Sequence, residues 1–190
     1  MPPKVKVTRE DIIEKALELL RLRGDSGINA RSVAAELSAS TQPVFSNFST
    51  MEELKVAVAE AAYKLYLSFI EKEVMSGKYP RYKSFGIAYI RFAKEEKELF
   101  KFLFMCDRNG KDLSPGEDFK ASVEMIMNTN GFSRERAELM HLEMWACVHG
   151  IASMAATSFL ELDDELISRM VSDVYQGVRR IQMEGDNGGN

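Results

Sequence analysis

Residues 29–54 read NARSVAAELSASTQPVFSNFSTMEEL. The stretch predicts two short helices divided by a tight polar break, with a third helix behind them. Asn29 is placed to cap the first, and Val33, Ala34 and Leu37 fall on its inward side. Residues 38–40 form the break. Ser40 is placed to cap a second helix over residues 41–47, because a serine at that point accepts from a free N–H of the first turn. Pro43 lies inside that turn, where it breaks no intrahelical hydrogen bond. Val44, Phe45 and Phe48 have the spacing of anchors, which turns Thr41, Gln42, Ser46 and Asn47 outward. Thr50 with Glu53 reads as a capping box opening the next helix. Two short helices with a turn of about 3–4 residues describe a helix-turn-helix, whose second helix enters the DNA major groove. The same signals also fit an ordinary αα-hairpin.

Upstream, residues 8–23 read as a helix. Thr8 and Asp11 form a second capping box, an apolar stripe runs through Ile12, Ile13, Ala16, Leu17 and Leu20, and Gly24 is a natural terminator. This completes a three-helix module of roughly 45 residues, too small to stand comfortably alone. Lys4, Lys6 and Arg9 make a basic arm ahead of it. Residues 37–51 carry no charge, so phosphate contacts must come from the arm, Arg31, Lys55 and helix-start N–H groups.

Downstream the pattern is helical throughout. A helix from Thr50 reaches about residue 75, and another covers residues 81–94. The run Lys94-Glu95-Glu96-Lys97-Glu98 reads as a solvated corner, and Leu99 to Met105 as a short buried helix. A polar loop at 107–115 leads to a helix over 116–129. Ser133 caps a long one to about residue 160, and Asp163 or Asp164 opens the last, to about 183. In that last helix Leu166, Met170, Val174, Gly177 and Ile181 form the stripe, widened by Val171 and Val178. Both long helices carry more apolar surface than one core needs, which implies pairing with a second copy.

The chain has 190 residues and a formal net charge of -4. No apolar run approaches the ~20 residues of a membrane span. The opening MPPKVKVTRED has no apolar segment of a signal peptide. Two cysteines, Cys106 and Cys147, fit a reduced cytosol and read as small buried hydrophobes. There is no phosphate-cradling glycine loop, zinc-type histidine pair or nucleophile elbow. His141 and His149 are too far apart along a helix for simple chelation. No catalytic residue, metal site or cofactor is expected.

From residue 8 to about 58 the chain resembles the tetracycline-repressor (TetR) family of bacterial transcriptional regulators. The likeness is carried by Arg23-Gly24, Ser32-Val33-Ala34, Val44-Phe45-Ser46-Asn47-Phe48 and Thr50-Met51-Glu52-Glu53-Leu54. The family pattern usually has glycine at Ser38, tyrosine at Phe45, histidine at Asn47 and lysine at Met51, the last three commonly touching DNA phosphates. The string WACVHGIA, residues 145–152, resembles the tryptophan–histidine–glycine core of the regulatory domain in one subgroup of that family.

The resemblance implies an all-α protein. Residues 1–54 would form an N-terminal three-helix helix-turn-helix DNA-binding domain. Residues 55–184 would form an antiparallel helical-bundle ligand-binding and dimerisation domain, followed by a disordered tail at 185–190. The implied protein is a cytoplasmic, ligand-responsive repressor binding a palindromic operator as a homodimer through its last two helices. Lys4, Lys6, Arg31, Ser40, Thr41, Gln42, Pro43, Phe45, Ser46, Asn47 and Lys55 would meet double-stranded DNA. Tyr89, Phe92, Phe100, Phe104, Met105, Met125, Trp145 and His149 would line a pocket for a small-molecule effector, or else form plain core. His149 has a bland alternative as a buried histidine bonded to a backbone carbonyl. The whole chain has one too: an all-α small-molecule-binding or interaction protein with weak or lost DNA binding.

Overall fold

The computed structural model describes residues 7–106 and 117–184. The expectations for Lys4, Lys6, the 107–115 loop and the 185–190 tail lie outside the described residues. Within them the chain is helical: α1 (Arg9–Arg23), α2 (Ala30–Glu36), α3 (Gln42–Asn47), α4 (Met51–Met75), α5 (Arg81–Glu95), α6 (Lys97–Phe104), α7 (Glu117–Asn130), α8 (Arg134–Ala156) and α9 (Asp164–Glu184). The helices fall into two compact units. One spans Met1–Ser68 with Glu96–Cys106, and the other Phe69–Glu95 with Asp107–Asn190. None of these helices is long and apolar enough to cross a membrane.

The first unit starts from a complete capping box. Asp11 N donates to Thr8 Oγ1 at 3.1 Å, and Thr8 N donates back to Asp11 Oδ2 at 2.8 Å. Those bonds hold the Asp11 carboxyl below its ordinary pKa. Ile12, Ala16, Leu19 and Leu20 of α1 are buried with Val33 and Ala34 of α2, Val44 and Phe48 near α3, and Leu54 and Val58 of α4. α6 completes this core with Leu99 and Phe100, neither of them exposed. It brings Glu96, which accepts from Arg21 Nε at 2.8 Å and Nη2 at 2.9 Å. The charged run at 94–98 is therefore more than a solvated corner, since it fastens α6 to the end of α1.

The second unit is organised by α5, α8 and α9. Tyr82 Oη lies 2.9 Å from His141 Nδ1, and Tyr89 Oη lies 2.9 Å from His149 Nδ1. The two rungs advance together along both helices, so α5 and α8 run in the same direction. Gly86 sits between the rungs, where an added Cβ would come within 3.2 Å of Val148. α9 runs the opposite way. Lys83 donates to Ser168 and Ser172 near one end of α5, while Lys94 donates to Asp164 at the other. α7 closes the bundle through Val123 and Ile126, which cluster with Phe132, Ala137 and Met140.

Three details correct the sequence reading. α8 stops at Ala156, short of residue 160, because Ser158 turns left-handed at φ 55°. In α9 the inward side is Ile167 and Val171, with Tyr175 and Val178 packed on the α7–α8 cluster. The expected stripe is the outer one: Leu166 and Ile181 are exposed, and Met170, Val174 and Gly177 only partly covered. Both faces are apolar, so periodicity alone does not tell which one is inside. Cys106 is exposed, whereas Cys147 is half-buried and burial pushes its thiol pKa up.

Candidate nucleic-acid interface

Asn29 caps α2 by accepting from Ser32 N at 3.0 Å. α2 ends in a two-bond turn in which Ser38 N donates to Ala35 O at 3.0 Å and Ala39 N donates to Ala34 O at 2.9 Å. This Schellman arrangement needs a left-handed residue, normally glycine. Ser38 supplies it at φ 50°. That conformation strains any residue with a Cβ. The α8 terminus repeats the motif with Ser158 N to Ala155 O and Phe159 N to Met154 O.

α3 begins one residue later than expected. Its N-cap is Thr41, with no side-chain cap bond, so Ser40 does not cap it; Pro43 sits in the first turn. Val44 and Phe48 are buried and hold the helix down. Phe45 is expected as a third anchor but is 53% exposed, because it lies about 100° round the short helix from Val44, off the buried edge. Gln42 and Ser46 are exposed, with Thr41, Pro43 and Asn47 half-covered. Ser46 Oγ donates to Gln42 O at 2.9 Å, and Asn47 Nδ2 donates to Pro43 O at 2.8 Å. Behind α3, Thr50 Oγ1 accepts from Glu53 N, while the Glu53 carboxylate accepts from Ser49 N rather than from Thr50.

The cations around this face are unequally free. Arg31 is exposed. Lys55 is ion-paired with Asp25 at 2.7 Å. Arg9 lies over the Phe48 ring, 4.4 Å from its centroid, and 3.7 Å from Glu53.

The residues expected to line an effector pocket divide between the units. Phe100, Phe104 and Met105 belong to the first, where Phe104 packs edge-on to Tyr66 at 5.2 Å and against Phe100 at 5.4 Å. Met105 is exposed. In the second unit Phe92 is fully buried edge-on to Phe69, and Met125 is half-buried on α7. Tyr89, Trp145 and His149 do come together: the Trp145 and His149 rings stack at 5.0 Å and 14° while Tyr89 holds Nδ1. The Tyr89 phenol is thus one partner of His149, and burial lowers the histidine's pKa. The sequence reading missed the matching Tyr82–His141 pair and the Glu73–Arg91 ion pair, in which Glu73 is 2% exposed. Glu73 continues the helical spacing of Leu65 and Phe69, and a carboxylate on that apolar stripe was the available signal for the latter. A shallow depression bordered by Tyr79, Arg91, Lys94 and Asp164 lies beside that pair, and none of the expected pocket residues lines it. Among the described residues no group of three or more histidine, cysteine or carboxylate side chains could hold a metal.

A surface-lying α3 beside an α2 that buries Val33 and Ala34, followed by a separate helical unit, defines a helix-turn-helix protein of the two-part all-α class. Residues 82–174 match the family model described as the tetracyclin repressor-like, C-terminal domain. The bundle built on α5, α8 and the first half of α9 is thus a tetracyclin repressor-like C-terminal domain. No curated protein matches the chain. Among solved structures, one similar chain is a protein of unknown function from Rhodococcus sp. RHA1, with TM-score 0.71 and 19% identity, covering 96% of this chain and 98% of that one. A protein assigned to the TetR family of transcriptional regulators, from Vibrio parahaemolyticus, aligns with TM-score 0.62 and 17% identity, covering 88% and 96%. A TetR-like transcriptional regulator from Rhodococcus sp. RHA1 aligns with TM-score 0.62 and 13% identity, covering 99% of each chain. At these identities the structural likeness speaks for the fold.

Proposed function

We propose that this protein is a cytoplasmic, ligand-responsive transcriptional repressor that binds a palindromic operator as a homodimer. The observation that carries the reading is α3 itself, a six-residue helix fixed by Val44 and Phe48 with Gln42, Phe45 and Ser46 toward solvent. On this reading residues 1–54 hold the DNA-binding surface, including Arg31, Thr41, Gln42 and Ser46. Residues 55–184 hold the effector and dimer surfaces, with Tyr89, Trp145 and His149 as effector contacts. An effector that prefers one spacing of the two heads shifts the population between DNA-competent and incompetent dimers. Half-sites about 34–36 Å apart make simultaneous fit sensitive to that spacing.

Support for the dimer comes from two unpartnered stripes. Leu139, Leu142, Ala146 and Gly150 are exposed along α8, and Leu166 and Ile181 border the outer stripe of α9. An added Cβ at Gly150 or Gly177 meets nothing within 4 Å inside the subunit. Gly177→Arg therefore tests the interface without disturbing the subunit's own packing. Sedimentation should show a wild-type dimer and a dissociated variant; a wild-type monomer would refute the dimer.

The uncharged segment at 37–51 and the Lys55–Asp25 pair favour one rival, a TetR-family scaffold that binds small molecules and has lost tight DNA binding. A mobility-shift assay against the DNA upstream of its own coding region separates the two. Tight, sequence-selective binding supports the regulator. Weak binding, equal on random DNA and abolished by moderate salt, supports the rival.

A further inference from the structure

Phe45 is the one ring that α3 leaves outside. Its neighbours Val44 and Phe48 are 1% exposed, while Phe45 is 53% exposed. Its own segment carries no charge, since residues 37–51 contain none. Two polar groups nearby are already committed to the helix backbone, Ser46 Oγ to Gln42 O and Asn47 Nδ2 to Pro43 O. What α3 presents is thus an aromatic face beside the exposed amide of Gln42.

The major-groove edge of DNA is lined with donors and acceptors and carries one apolar group, the C5 methyl of thymine. A ring without a hydroxyl has no hydrogen bond to offer a phosphate, so its favourable partner in the groove is that methyl. Gln42 lies three residues before Phe45, and residues so spaced are neighbours on a helix surface, about 5–6 Å apart at Cβ. Base pairs rise 3.4 Å along the axis, so the two side chains fall over the same or adjacent pairs. Glutamine matches adenine, whose N6 and N7 it can bond together. Both readings select A·T pairs.

We infer that Phe45 is a specificity residue that packs on a thymine methyl in each half-site, beside an adenine read by Gln42. This rests on the DNA role proposed above. The test uses the full chain and duplexes selected from a random library. Failure to enrich any sequence overturns the DNA role itself. With a selected duplex in hand, each thymine is replaced in turn by deoxyuridine, which removes only the methyl.

One position per half-site should weaken wild-type binding about fourfold, the factor that one buried methyl group contributes. Phe45→Ala should bind the thymine duplex less tightly and lose that sensitivity, while Phe45→Leu, still apolar, should keep part of it. Phe45 is not among the buried core residues, so both variants should fold, and circular dichroism checks this. If no thymine is methyl-sensitive, or if the sensitivity persists in Phe45→Ala, the inference is overturned while the DNA role stands.

Discussion

Among the described residues, the first unit's side chains with no exposure are hydrocarbon, Ile12, Leu20, Val33, Leu54 and Phe100 among them, whereas the second unit buries Glu73, Ser84 and Ser122 alongside its apolar core. The second also carries the two tyrosine–histidine rungs and the Lys83 bonds to Ser168 and Ser172. An apolar interior has its shape set by volume and tolerates few alternatives. A hydrogen-bonded interior can exchange one partner for another, and removing a partner leaves a buried group unsatisfied. The first unit is thus built to hold a shape, and the second contains the bonds that a bound molecule could compete for.

The sharpest way to break this comparison is at Arg91. Arg91→Met strands the Glu73 carboxylate, which is 2% exposed. The expected loss is about 3 kcal/mol, the low end for a broken buried pair because the guanidinium is partly solvated. Urea denaturation measures it. The double variant Glu73→Gln with Arg91→Met should recover most of the loss. A single variant as stable as the wild type would mean that Glu73 is hydrated after all.

A second effect is pH-dependent and belongs to the second unit alone, where His141 and His149 both lie. Burial lowers the pKa of each in the folded chain, while an unfolded histidine titrates near 6.5. The folded state therefore binds fewer protons than the unfolded state in this range. The stability this contributes is present above about pH 6.5 and is lost as the pH falls below it. The urea midpoint should drop between pH 7.5 and 5.5, and His141→Gln should make the drop smaller. A flat profile would deny the rungs any share in stability.

The smallest effect tests the first unit. Ser38 holds a left-handed conformation that glycine adopts without a Cβ penalty. Ser38→Gly should stabilise the protein by about 0.5–1 kcal/mol, read from the thermal midpoint. A loss of stability would show that the serine hydroxyl contributes more than the strain costs.

The same contrast explains what could be read from the sequence. Caps are local, so Thr8, Asn29 and Ser133 marked helix starts without any knowledge of the fold. The helix carrying the candidate DNA face is also local, and Val44 and Phe48 followed from spacing. Phe45 did not, because six residues give too few turns to choose between one apolar side and two. The candidate effector residues depend on contacts distant in sequence, such as Tyr89 with His149. No periodicity encodes a partner sixty positions away, and none revealed that α6 would lie with the first unit and not with Tyr89. α9 was read inside out for a related reason, since its two apolar sides differ only in what covers them.

The placement of α6 bears on how the protein is made. The chain leaves the first unit after residue 68, enters the second, and returns at residue 96 to supply α6 before leaving again. Leu99, Phe100 and Glu96 are thus missing while the ribosome is still finishing α5. Domains generally fold as units during synthesis, the N-terminal one first. Here that order is blocked by topology. The helix-turn-helix end must wait, part-assembled, until residues 96–106 emerge, and by then the first segment of the second unit is already outside. The two units are laced together in time as well as in sequence, and neither is a contiguous piece that can be excised.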